Sequence, residues 1–183
     1  LMQVSEVDLQ RMLAEFFPPE VSPSEEMQSQ MLLAIAYGHP HITDDSLHQL
    51  AMQIFSDAHK NQRIAIMAAS LGKIELLKKV LNQRDIQALA GELFYCAAKH
   101  VHHGILEYLK SRAPREAFTE AVLYKAFYEA AKGGYLNVFH CFESLFPNSE
   151  ILNFVKKEDY ESFRAAARSG KLAILEFLIQ KLP

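Results

Sequence analysis

The chain has 183 residues, half of them hydrophobic and 22% charged, with 19 Lys and Arg against 22 Asp and Glu for a formal net charge of −3. That composition excludes a disordered, collagen-like or disulfide-stapled chain. The slight acidity excludes a general nucleic-acid binder, which needs a phosphate-neutralising excess of Lys and Arg.

Taken in chain order, the opening LMQVSEVDLQRM has no basic segment leading into an apolar run, so no leader peptide is expected. Ser5, with Asp8 three residues on, starts a first helix in capping-box style. Pro18, Pro19 and Pro23 then forbid helix in a rigid connector. Residues 1–24 are therefore read as an N-terminal helix and Pro-rich connector, and 25–183 as one helical domain. Ser24 starts a helix ending near Gly38, and Thr43 caps another running to about His59. Apolar residues recurring at spacings of three and four predict further helices near 61–71, 73–82, 85–99, 102–111, 115–132, 135–145, 148–155, 159–169 and 171–181. Connections this short make sequential helices antiparallel hairpins. The longest apolar run, Met31 to Tyr37, is far too short for a membrane span. The chain begins Leu-Met and stops on a helical pattern, as a piece of a longer protein would.

One line recurs: AASLGKIELLKKVL from Ala68, AAKHVHHGILEYLK from Ala97, AAKGGYLNVFHCFE from Ala130 and AARSGKLAILEFLI from Ala166. The steps between those alanines are 29, 33 and 36 residues, and a fainter copy, AIAYGHPHI, begins at Ala34. Two adjacent small residues let one helix cross another closely. Gly72, Gly134 and Gly170 suit the left-handed position that ends a helix, with Val101 at that place in the second copy. Ile74, Leu136 and Leu172 then begin the next buried stripe. A lone hairpin cannot bury both its faces, so such units must stack.

The pattern AA-x-x-G-x-L-x-x-L/V-x-x-L/F at a step near 33 resembles ankyrin repeats, best over Met67–Leu81 and Ala165–Ile179. Arg63-Ile64-Ala65-Ile66 and Ser162-Phe163-Arg164-Ala165 stand where that family carries Thr-Pro-Leu-His, and the family's Gly-Ala-Asp finger is missing. The resemblance implies an all-α solenoid of about four to five degenerate ankyrin-like hairpins with reduced or absent β-fingers. It also implies a non-catalytic protein-interaction module; no cofactor is expected, and two reduced thiols fit a cytoplasmic chain. Arrays of this degenerate kind resemble those of effectors that intracellular bacteria inject into host cells, which would place the chain in the host cytosol.

His100, His102 and His103 fall in one turn, and Glu107 follows His103 at i+4, a spacing that lets the two share a metal ion. No further ligand is evident nearby in sequence, so no metal is assigned and these read as solvated turn residues; His39 and His41 are a weaker instance. Cys96, beside Ala97 and Ala98, and Cys141, on the Val138-Phe139-Phe142 stripe, read as reduced core thiols rather than nucleophiles. A single Cys96–Cys141 bridge is the open alternative. No phosphate-cradling loop, Gly-x-Ser-x-Gly or His-Glu-x-x-His occurs. Glu25-Glu26 and Glu158-Asp159 sit at helix starts, where the helix dipole favours them.

Two residues after the first alanine of each copy stand Ser70, Lys99, Lys132 and Arg168. Three successive cations at one repeat position predict a basic column, flanked by Arg63 and Lys125. Tyr124 and Tyr128 form an aromatic ledge, with Phe127 between them read as core. The functional reading is a groove for a protein or peptide partner with an acidic surface; the plain reading is a solvated polar face. A monomer or weak dimer is expected. Two other functions stay in view. One is an all-helical enzyme domain using His100, His102, His103 or Cys96. The other is a structural spacer or dimerisation unit of a larger protein.

Overall fold

The computed structural model describes residues 24–39, 41–55 and 59–182, together with Arg11. The expected N-terminal helix and most of the proline connector lie outside the described residues. Within them the chain is helical, without a strand, and no helix is long and apolar enough to cross a membrane. It divides into two compact units between Leu81 and Asn82.

The first unit contains α1 (Glu25–Gly38), α2 (Asp44–Ile54), α3 (Lys60–Leu71) and α4 (Ile74–Val80). Ser24 and Thr43 cap α1 and α2 as their chemistry predicts, accepting from the N–H groups of Met27 and Ser46. Helix α2 ends at Ile54, short of the expected His59. Helix α3 packs on α1 and α4, and α4 on α2, around Leu32, Leu47, Leu50, Phe55, Ile64, Leu76 and Leu77, all without solvent exposure. The seam is also polar. Lys73 donates to the Ile42 carbonyl at 3.1 Å, the Leu76 N–H to the Asp44 carboxylate at 3.1 Å, and Lys79 pairs with Asp45 at 2.7 Å.

The second unit contains α5 (Gln83–Lys99), α6 (His103–Arg112), a single 3-10 turn (Arg115–Ala117), α7 (Glu120–Gly133), α8 (Leu136–Leu145), α9 (Asn148–Arg168) and α10 (Leu172–Gln180). Asn82 caps α5 by accepting from the Asp85 N–H at 2.9 Å. Helices α5, α7 and α9 pack side by side, α6 packs on α8, and each of α6, α8 and α10 folds back on the helix before it. Phenylalanine fills the space between: Phe127 lies 4.7 Å from Phe139, 5.4 Å from Phe142 and 5.6 Å from Phe154, and Phe139 lies 5.1 Å from Phe177. The Phe127 pairs with Phe139 and Phe142 are edge-to-face, an arrangement that contributes about 0.5–1.5 kcal/mol each beyond burial.

The four recurring segments form one and the same turn. The N–H of the sixth residue reaches back to the carbonyl of the first alanine in every copy: Lys73 to Ala68 at 2.9 Å, His102 to Ala97 at 2.8 Å, Tyr135 to Ala130 at 3.0 Å and Lys171 to Ala166 at 2.9 Å. The fifth residue is left-handed each time, with φ of 73° at Gly72, 64° at Val101, 84° at Gly134 and 65° at Gly170. This is the Schellman closure of a helix. The apolar stripe that follows is buried at matching places: Leu76, Leu77 and Val80; Ile105, Leu106 and Leu109; Val138, Phe139 and Phe142; and Ile174 and Leu178.

Two expectations fail. The faint copy at Ala34 does not share the turn: Gly38 stays within α1 and Ala34 faces solvent, so the resemblance there is one of letters only. The helix expected over 115–132 is interrupted, because buried Phe118 needs extended backbone to reach Phe94 at 5.5 Å. The gap expected between 155 and 159 is present: α9 is two helical stretches meeting at a non-helical turn. Lys157 turns extended, and Glu158, Asp159 and Tyr160 take left-handed φ of 51°, 55° and 58° inside α9. Arg164 holds that turn, pairing with Asp159 at 2.7 Å and donating to the Glu158 carbonyl at 3.3 Å.

Val101 is a β-branched residue in a conformation that disfavours side chains by about 1–2 kcal/mol. Val101→Gly is therefore expected to stabilise the chain by about 1 kcal/mol, after allowing for the greater freedom of glycine when unfolded. An unchanged or lower urea midpoint would contradict it. Ala69, fully enclosed at the α3 crossing, is expected to give the opposite result: Ala69→Leu should cost about 1–3 kcal/mol through overpacking, read as a lower melting temperature.

Candidate functional site

The recurring turn fixes where polar side chains emerge. Lys99 and Lys132 occupy the last turns of α5 and α7, where a helix's exposed carbonyls favour a cation. The close of α7 is shaped by two glycines. A Cβ on Gly133 would strike the Tyr135 ring, and one on left-handed Gly134 would meet Lys171 Cδ at 2.7 Å. Without those atoms, the Tyr135 ring and the Lys171 stem lie flat on the turn. The result is an open depression of about 420 Å³ whose lining includes Lys99, His100, Glu129, Lys132, Tyr135 and Lys171. Three ammonium groups thus face one carboxylate. His100 is stacked beside His102 with ring centroids 6.2 Å apart. Its pKa is lowered by burial first, and then by the charges of Lys99 and His102.

The other expected cations go elsewhere. Arg168 is drawn to Glu161 at 3.4 Å rather than to the lysines, and Lys171 takes its place at the depression. Arg63 belongs to the first unit, where it lies 4.1 Å over the Phe55 ring and donates to Ser29 at 3.4 Å. Ser70 is buried, its hydroxyl turned back onto the Ile66 carbonyl at 3.0 Å.

Tyr124, Lys125 and Tyr128 line a second open depression of about 510 Å³, closed on its far side by Lys157, Glu158 and Glu161 of the left-handed turn. The aromatic ledge is smaller than expected. Phe127 is core, as read from the sequence, and Tyr124 is also buried, at 8% exposure. The Tyr124 and Ser162 hydroxyls are both enclosed without a well-formed hydrogen bond, and burial raises the tyrosine pKa. Lys157 lies 5.0 Å over the Tyr124 ring and pairs with Glu120 at 2.9 Å. From α7, Ala121, Lys125 and Tyr128 offer this depression appreciable surface.

The two cysteines are not bridged to each other; Cys96 is half-buried and Cys141 is buried. Cys141 Sγ lies 3.3 Å from His103 Nδ1 and donates to Glu107 Oε1 at 3.6 Å. Burial, and then the neighbouring Glu107 carboxylate, push the thiol up to about 11. That direction is opposite to the one that activates a cysteine nucleophile. Sequence reasoning pairs His103 with Glu107 and misses Cys141, although Cys141 follows Glu107 by 34 residues, one repeat step.

A histidine whose folded pKa is lowered lets the unfolded chain take up the proton first, so stability is lost as pH falls below the unfolded value near 6.5. His48 of the first unit, lowered chiefly by burial, adds to the effect. The melting temperature is expected to drop between pH 7.5 and pH 5.5, and His100→Asn to shrink that drop. An identical pH profile for the variant would count against it.

No protein-family model matches this chain, and neither a curated protein nor a solved structure matches it.

Proposed function

We propose that this chain is a non-catalytic protein-interaction module, a stack of degenerate ankyrin-like hairpins that binds an acidic peptide or protein segment beside the ends of α5 and α7. The single observation that carries this reading is the convergence of Lys99, Lys132 and Lys171, from successive hairpins, on one open depression opposed by Glu129 alone. The helix ends and closed turn that carry these lysines are already ordered, so binding costs only the side chains' own freedom. Tyr135 adds a flat apolar surface beside them, the kind of contact that anchors interfaces.

Three supports come from the hairpins themselves. The four turns share one hydrogen-bond pattern. Side-chain bonds between hairpins recur at nearly the repeat step: Lys79 with Asp45, Lys110 with Ser144, Arg115 with Glu150 and Lys157 with Glu120. The raised thiol of Cys141 and the openness of both depressions favour binding over nucleophilic catalysis.

The test uses a fluorescent Glu-rich peptide and the wild-type chain. Lys99→Glu combined with Lys132→Glu should weaken binding at least tenfold while leaving the circular dichroism spectrum unchanged, because both side chains are exposed. Wild-type affinity should fall steeply as salt is raised from low to physiological concentration. Equal affinity of the two proteins would remove the acidic-partner reading.

A further inference from the structure

His103 and Glu107 stand one turn apart at the start of α6, and Cys141 approaches them from α8, the corresponding helix of the next hairpin. Their ligand atoms all lie within 4.8 Å of one another. A tetrahedral zinc ion, with bonds of about 2.3 Å to sulfur and about 2.0 Å to nitrogen or oxygen, holds its ligand atoms about 3.3–3.6 Å apart. The sulfur-to-nitrogen separation of 3.3 Å and the sulfur-to-oxygen separation of 3.6 Å already meet that requirement.

We propose that His103, Glu107 and Cys141 form a binding site for a borderline-soft divalent metal ion, zinc above all, with three protein ligands and an open fourth position. A thiolate, an imidazole and a single carboxylate select zinc or cobalt over magnesium and calcium, which need mainly oxygen ligands. Access fits as well. Cys141 is buried while His103 and Glu107 are exposed, so the sulfur forms the floor and the other two ligands the mouth. Lys110 lies 3.8 Å from Glu107 Oε2 and is fixed in turn on Ser144 Oγ at 2.8 Å. It engages one carboxylate oxygen and leaves Oε1 to the metal, the arrangement by which outer groups orient a ligand. The bound ion joins α6 to α8 and thereby two successive hairpins.

The experiment uses cobalt(II) as a spectroscopic stand-in for zinc on the whole, reduced chain. A thiolate-to-cobalt charge-transfer absorption is expected, saturating at one ion per chain and displaced by zinc(II). Cys141→Ser should abolish the absorption. His103→Gln, at an exposed position that leaves the core alone, should weaken metal binding at least tenfold, as should Glu107→Gln. Absence of a thiolate absorption in the wild-type chain overturns the proposal, as does its persistence in Cys141→Ser. Should Cys141→Ser not fold, His103→Gln decides alone: unaltered affinity there leaves only adventitious binding to surface histidines.

Discussion

A left-handed residue four places after an alanine is the constraint on which the rest of this molecule depends. It closes one helix with a bond from the next residue's N–H and sends the chain straight into the following helix. The small side chains at Ala68, Ala69, Ala97, Ala98, Ala130 and Ala131 are fully buried, so neighbouring helices can pack closely against them. Nothing else sets the hairpin angle so directly. Given that angle, the stripe of the second helix lands on the core, and the residues of the turn itself are left at one edge. That edge is where Lys99, Lys132 and Lys171 gather.

Much of this was legible in sequence, because local chemistry and tertiary packing ask for the same residues. The alanine pair, the glycine and the apolar stripe are each local signals, and together they located all four turns, including the one where Val101 replaces glycine. Phe127 read as core because its neighbours at helical spacing are apolar. The failures have physical causes of two kinds. Ala34 misled because a letter match says nothing about which way a helix has rotated. Phe118 misled because a tertiary contact, with Phe94, overrides helical preference there, whereas the break before residue 159 was readable and is held by the Arg164 clamp. At the basic face, the position of a cation was readable but its destination was not. Arg168 and Lys171 exchange roles because Glu161 lies within reach of only the first.

The ion pairs deserve modest weight in stability. Those between hairpins are largely exposed, and pairs of that sort contribute about 0–1 kcal/mol each. Their value is in register. A lysine that finds its carboxylate one repeat away discriminates against a neighbour shifted by a helix turn, while the phenylalanines supply most of the cohesion without specifying position so narrowly. The same division of labour applies to the proposed metal site, whose three ligands lie across a seam already packed by Leu106, Leu109 and Phe142.

The side-chain bonds that link one hairpin of the second unit to another span 34 to 38 residues. Each hairpin therefore converses with its immediate neighbours, and mechanical or chemical disturbance at one end must pass through every intervening layer to reach the other. Read as the proposed stack, the second unit would be extensible: a whole hairpin inserted between two others would meet similar partners on either side, whereas an insertion of half that length would move those partners out of register. The unequal steps between the copies fit this picture, since the extra residues fall outside the shared turn, where length is free to drift.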